Sequence, residues 1–117
     1  MQVEHVLAAV PVSDVDAAAR WYEQLLGAPP TNRPMPNVVE WRTTSSGWVQ
    51  VFTDRERAGH SFLNFAVADL EAAVDELVGR GLAPGQIQPA NKGVQLSALK
   101  DPDGNTITLI GGFREVY

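Results

Sequence analysis

The chain has 117 residues, 44% hydrophobic and 20% charged, with a net charge of −5 and no cysteine. That length suits one cored unit and is short for two, and the acidic balance excludes the basic footprint of a nucleic-acid binder and disfavours an anionic membrane surface. Without cysteine there is no disulfide, thiol chemistry or thiolate ligand, and no apolar run approaches a membrane span. The opening MQVEHVLAAVPV carries Glu4 and neither Lys nor Arg. It does not read as a secretory signal, so a cytoplasmic protein is expected.

In chain order, residues 3–12 alternate as a strand, with Val6, Ala8, Val10 and Val12 on one face. Residues 14–26 have helical spacing in Val15, Ala18, Tyr22, Leu25 and Leu26. Asp14 or Ser13 suits the N-cap and Gly27 the C-terminal stop. APPTNRPMPN carries four prolines and must be irregular or an edge. VVEWRTT and WVQVFTD read as strands joined by SSG. The order then recurs. HSFLNFAV is a strand, and DLEAAVDELVGRG is a helix capped by Asp69, with Leu70, Val74, Leu77 and Val78 inward. GQIQPANKG is a weak strand, and VQLSALK and NTITLIGG are strands joined through the turn DPDG.

HVLAAVPVSDVDAA returns 55 residues later as HSFLNFAVADLEAA, with His5 over His60, Val12 over Val67 and Asp14 over Asp69. Such a period means two copies of one supersecondary unit. One copy alone cannot close a core. Module one is expected at 1–54 and module two at 58–117, in a single domain.

VPVSDVDAAARWYEQLLG and DPDGNTITLI resemble the vicinal oxygen chelate superfamily, which includes glyoxalase I, extradiol dioxygenases, fosfomycin-resistance enzymes and bleomycin-resistance proteins. The resemblance covers nearly the whole chain. It implies an α+β fold of two βαβββ modules forming a curled mixed sheet around a cavity, often completed by a second chain. Metal-dependent relatives hold one divalent cation with a side chain from the first and last strand of each module. Carried onto this sequence through Asp14, Asp69 and the DPDG glycine, those positions are Leu7, Gln50, Phe62 and Thr108. Carbon side chains cannot ligate, so no metal and no cofactor are expected. His5 and His60 stand two residues upstream, on the same strand face, and with Gln50 offer a displaced site or an acid–base pair. Solvated or hydrogen-bonded rim histidines are the competing reading. Glu4 and Glu40 alternate away from the inferred cavity face.

That face takes Leu7, Trp48, Gln50, Phe52, Phe62, Asn64, Thr106, Thr108 and Ile110, a mostly apolar lining with a few polar groups. The alternative is that these side chains fill a closed core. Trp21 and Tyr22 suit helix-to-sheet packing, and the facing of Trp41 stays open. Arg33, Arg55 and Arg57 could hold an anion or be solvated, and the acidic DPDG is explained by its turn. The reading that results is a metal-free small-molecule-binding protein. It is a homodimer that holds an apolar or aromatic ligand, without nucleic-acid or membrane partners. The alternatives are a lyase- or dioxygenase-like enzyme using His5 and His60, and a module that only docks a partner.

Overall fold

Apolar alternation followed by an Asp-capped helical pattern builds the same unit twice. The computed structural model describes residues 1–117 and is α+β. Module one runs β1 (Val6–Val12), α1 (Val15–Leu26), β2 (Asn32–Met35), β3 (Val38–Arg42) and β4 (Gly47–Thr53). Module two runs β5 (Phe62–Val67), α2 (Leu70–Gly79), β6 (Gln88–Pro89), β7 (Gln95–Lys100) and β8 (Thr106–Gly111). Each makes a four-stranded mixed sheet, ordered β1-β4-β3-β2 and β5-β8-β7-β6. In both, the first strand lies parallel to the last and the others are antiparallel. The sheets are not closed into a barrel. No helix is long and apolar enough to cross a membrane.

Local chemistry sets the boundaries. The Asp14 carboxylate accepts from the Asp16 and Ala17 amides, and Asp69 accepts from Ala72. Each satisfies donors that the first helical turn leaves free, worth about 1 kcal/mol. Gly27 ends α1 at φ 74, a conformation costly for any residue with a Cβ. The proline-bearing β2 takes the sheet edge, where a missing N–H costs least. Strand β1 begins at Val6 rather than residue 3, because its partner β4 begins at Gly47 and leaves 3–5 nothing to pair with. Val78 is exposed, not inward. It stands one position beyond buried Leu77, about 100° around the helix.

One hydrophobic core joins both modules, from Val10, Val51 and Tyr22 to Leu63, Ile107 and Leu77. The edge strands β1 and β5 lie side by side without a ladder between them. Side chains bridge the seam instead. Asn105, 1% exposed, donates to the Pro11 carbonyl (2.9 Å) and accepts from the Gly59 and Ser61 amides. Gly59, at φ 89, lies too close to the Asp103 carbonyl for a Cβ. Asp101 accepts from the Tyr22 hydroxyl (2.8 Å), from the Asn105 side chain (2.8 Å) and from the Asp103 and Asn105 amides. Arg80, at the end of α2, donates to the Gln24 and Leu25 carbonyls at the end of α1.

Burial first, and then the Asp101 carboxylate, pushes the Tyr22 phenol far above its ordinary value of 10.0. The unfolded chain can ionise this phenol near pH 10 while the folded chain cannot. The stability it contributes is therefore complete below pH 10 and lost as pH rises above it. Thermal unfolding followed from about pH 8 to about pH 11 should show a loss of roughly 1.4 kcal/mol per pH unit above 10 from this group. Tyr22→Phe should remove that component. An unchanged alkaline slope in the variant would mean the phenol is not held this way.

Candidate functional site

Register decides which side chains share a face. β1 pairs with β4 so that Leu7 lies opposite Trp48, Ala9 opposite Gln50 and Pro11 opposite Phe52. β5 pairs with β8 so that Phe62 lies opposite Thr106, Asn64 opposite Thr108 and Ala66 opposite Ile110. The other faces carry buried Val49, Val51, Ile107 and Leu109 beneath the helices. Of the nine side chains expected along the cavity, four therefore share the open face of the first sheet and five that of the second. They do not fill a core. Phe62 is 79% exposed and Leu7 45%.

The cavity that sequence reasoning missed lies where β1 and β5 diverge. It has a volume of about 560 Å³ and is mostly apolar. Ala8 and Val6 form one wall, Leu63, Phe65 and Val67 the other, and Leu25, Leu26, Ala73 and Leu77 of the helices complete it. Only Trp48 and Asn64 of the nine reach it. Val6, on the same strand face as buried Val10 and Val12, opens onto this cleft and is 67% exposed. Nothing in the alternation of a single strand signals a gap between two strand edges.

The open face of module one differs from expectation in charge. Glu40 pairs directly with Gln50 and stands on its face, not away from it. Gln50 Nε2 donates to Glu40 Oε2 (2.8 Å) and Asn32 Nδ2 to Oε1 (3.2 Å). Trp41 points the other way. It is buried, and its indole donates to the Ala28 carbonyl. Trp48 Nε1 donates to His5 Nδ1 (3.0 Å), which makes that histidine a support for the indole.

The four positions where relatives hold a cation do not fit one. Leu7 and Phe62 offer only carbon, and Gln50, whose Nε2 donates to Glu40, and Thr108 bring only neutral oxygens. The two histidines of the displaced site have different neighbours within one chain. His60 shares a depression of about 430 Å³ with Pro11, Phe52 and Glu56. His5 does not line that depression; it lies four residues upstream of Ala9, which does, roughly 13 Å along an extended chain. No group of three or more His, Asp or Glu side chains gathers at metal-binding spacing.

The candidate anion-holding arginines have protein partners. Arg33 pairs with Asp16 (2.8 Å) and Arg57 with Asp54 (2.7 Å), and Arg55 donates to the Ser13 carbonyl. The side-chain hydrogen bond from Arg57 holds the Asp54 carboxyl below its ordinary range. Asp101 of DPDG is consumed by protein donors, as its turn role required.

Residues 2–109 match the family model described as Glyoxalase/Bleomycin resistance protein/Dioxygenase superfamily. Among solved structures, a glyoxalase/bleomycin resistance protein from Catenulispora acidiphila DSM 44928 is similar at 31% identity and a TM-score of 0.85, covering 92% of this chain and 96% of that one. A bleomycin-binding protein complexed with bleomycin is similar at 19% identity and a TM-score of 0.77, covering 93% and 98%. A lactoylglutathione lyase from Agrobacterium tumefaciens follows at 19% and 0.72, covering 92% of each chain. At these two lower identities the likeness is one of fold. No curated protein sequence matched.

Proposed function

The chain belongs to the glyoxalase/bleomycin resistance protein/dioxygenase superfamily, and from that premise we propose that it binds a small apolar or aromatic molecule without a metal ion. The ligand lies against Trp48, Gln50 and Phe52, with its apolar end entering the cleft beside Trp48. A second copy covers the open faces, so that the working unit is a homodimer.

The observation that carries this reading is the donor set. Carbon side chains stand at Leu7 and Phe62, where metal chemistry needs nitrogen or oxygen. The mostly apolar cleft and the solved bleomycin complex of a protein with this fold support a binding role. Exposed Leu7 on one open face and Phe62 on the other are apolar surface that a second copy would cover. Acid–base catalysis by His5 and His60 has less support. The two have different neighbours within one chain, and Nδ1 of His5 is engaged by Trp48.

Metal analysis of protein purified without chelator, then incubated with Mn, Fe, Ni and Zn, tests the reading. Well under one metal per chain is expected, together with a dimer by light scattering and quenching of tryptophan emission by aromatic ligands. One tightly held metal per cavity would sink the metal-free reading and return His5 and His60 to consideration as ligands. A stable monomer would remove the shared cavity.

A further inference from the structure

We infer that Glu40 is the anchor for a cationic head group, and that the ligand is a planar organic cation of the amidinium or guanidinium class. The inference rests on the ligand-binding reading above and names its substrate class.

Glu40 is half-buried in the middle of the open face of module one. Its two oxygens each accept one hydrogen bond, from the Asn32 and Gln50 amides. Both donors are neutral. They fix the carboxylate's direction and leave its charge uncompensated. The ion pairs of the chain are Arg33–Asp16, Arg57–Asp54 and Arg80–Glu76, and none includes Glu40. The basic neighbour on the same face, Arg42, turns elsewhere. Its guanidinium donates to the Ser45 carbonyl and lies 5.6 Å from the centre of the Trp48 ring. Arg33, beside Asn32 in sequence, is held by the Pro36 carbonyl and Asp16.

The surroundings supply the rest of a recognition site. Trp48 and Phe52 stand two residues either side of Gln50 on the same strand face, so flat apolar surface flanks the carboxylate. A carboxylate accepts a planar two-donor cation in a fork, and a charged hydrogen bond is about twice as strong as a neutral one. The net charge of −5 favours approach of a cation over an anion. A ligand with an amidinium at Glu40 and an aromatic body over Trp48 would use every one of these features.

The test is calorimetric titration of the full chain with 4-aminobenzamidine and with its neutral isostere 4-aminobenzamide. Wild type should bind the amidine about tenfold more tightly. Glu40→Gln should reduce that preference below about twofold, chiefly by weakening the amidine. A melting curve establishes that this variant is folded. Independently of any variant, the wild-type preference should shrink as salt rises. A preference that survives Glu40→Gln, or that ignores salt, overturns the inference. Equal binding of both probes by wild type overturns it too, yet leaves the ligand-binding reading standing. Binding of neither probe overturns both.

Discussion

Asp101→Ala should lower folding stability by about 4 kcal/mol, the largest loss expected from any single substitution outside the apolar core. Asp101 is 4% exposed and accepts four hydrogen bonds, from the Tyr22 hydroxyl, the Asn105 side chain and the Asp103 and Asn105 amides. Removing the carboxylate leaves the phenol of Tyr22 at 0% exposure and the amide of Asn105 at 1% without this acceptor. Each stranded donor costs about 1–3 kcal/mol, and the vacated space adds a cavity. The loss also loosens Asn105, which ties Pro11 of β1 to Gly59 and Ser61 before β5. Asp101→Asn keeps one acceptor oxygen but turns an NH2 group toward existing donors, so about half the loss is expected. Denaturant unfolding of both variants measures this. A loss below about 1 kcal/mol for the alanine would show that solvent replaces the network cheaply.

Trp48→Ala should weaken aromatic-ligand binding about 30-fold while leaving the fold intact. The indole is half-buried at the junction of the open face and the inter-sheet cleft, and it is not part of the buried core. A ligand covering one indole face removes roughly 80 Å² of apolar surface from water, worth about 2 kcal/mol at ~25 cal/mol per Å², which converts to that factor. Trp48→Phe should retain most of the affinity, because it keeps a flat ring and loses only the donor to His5. Titration by calorimetry avoids the loss of the fluorophore. Wild-type affinity in the alanine variant would place the ligand elsewhere.

The modules were legible because their signals are local. Asp14 and Asp69 announce the helix starts, Gly27 ends the first helix, and the prolines of 28–37 mark an edge. The facing of β1, β4, β5 and β8 followed from alternation, since buried Val49, Val51, Ile107 and Leu109 alternate with less buried neighbours. Strand β3 defeated the same method. Val38, Val39 and Trp41 are all buried, Val38 on the open face opposite Phe52 and the others beneath α1, so the pattern VVEWR has no readable phase. Only pairing with β4 fixes it, and with it the place of Glu40. Tyr22 read correctly as packing, but its hydroxyl partner comes from a turn 79 residues away. The inter-sheet cleft depends on how two edges diverge, which no single segment records.

The seam that Asn105 closes is one-sided. The turn of module two, residues 101–105, is fastened to module one by Asp101, Asp103 and Asn105. The corresponding turn of module one, around Ser45 and Ser46, is exposed, and its hydrogen bonds stay within module one: the Ser45 carbonyl accepts from Arg42 and the Ser46 carbonyl from the Val6 amide of β1. Two copies of one unit thereby have unequal tolerance to change. The second hairpin is constrained in length and composition by what it grips. The first can lengthen, shorten or take up a grafted loop without disturbing the partner repeat. Since that turn leads into Trp48, variation there changes the surroundings of the indole while the architecture stays the same.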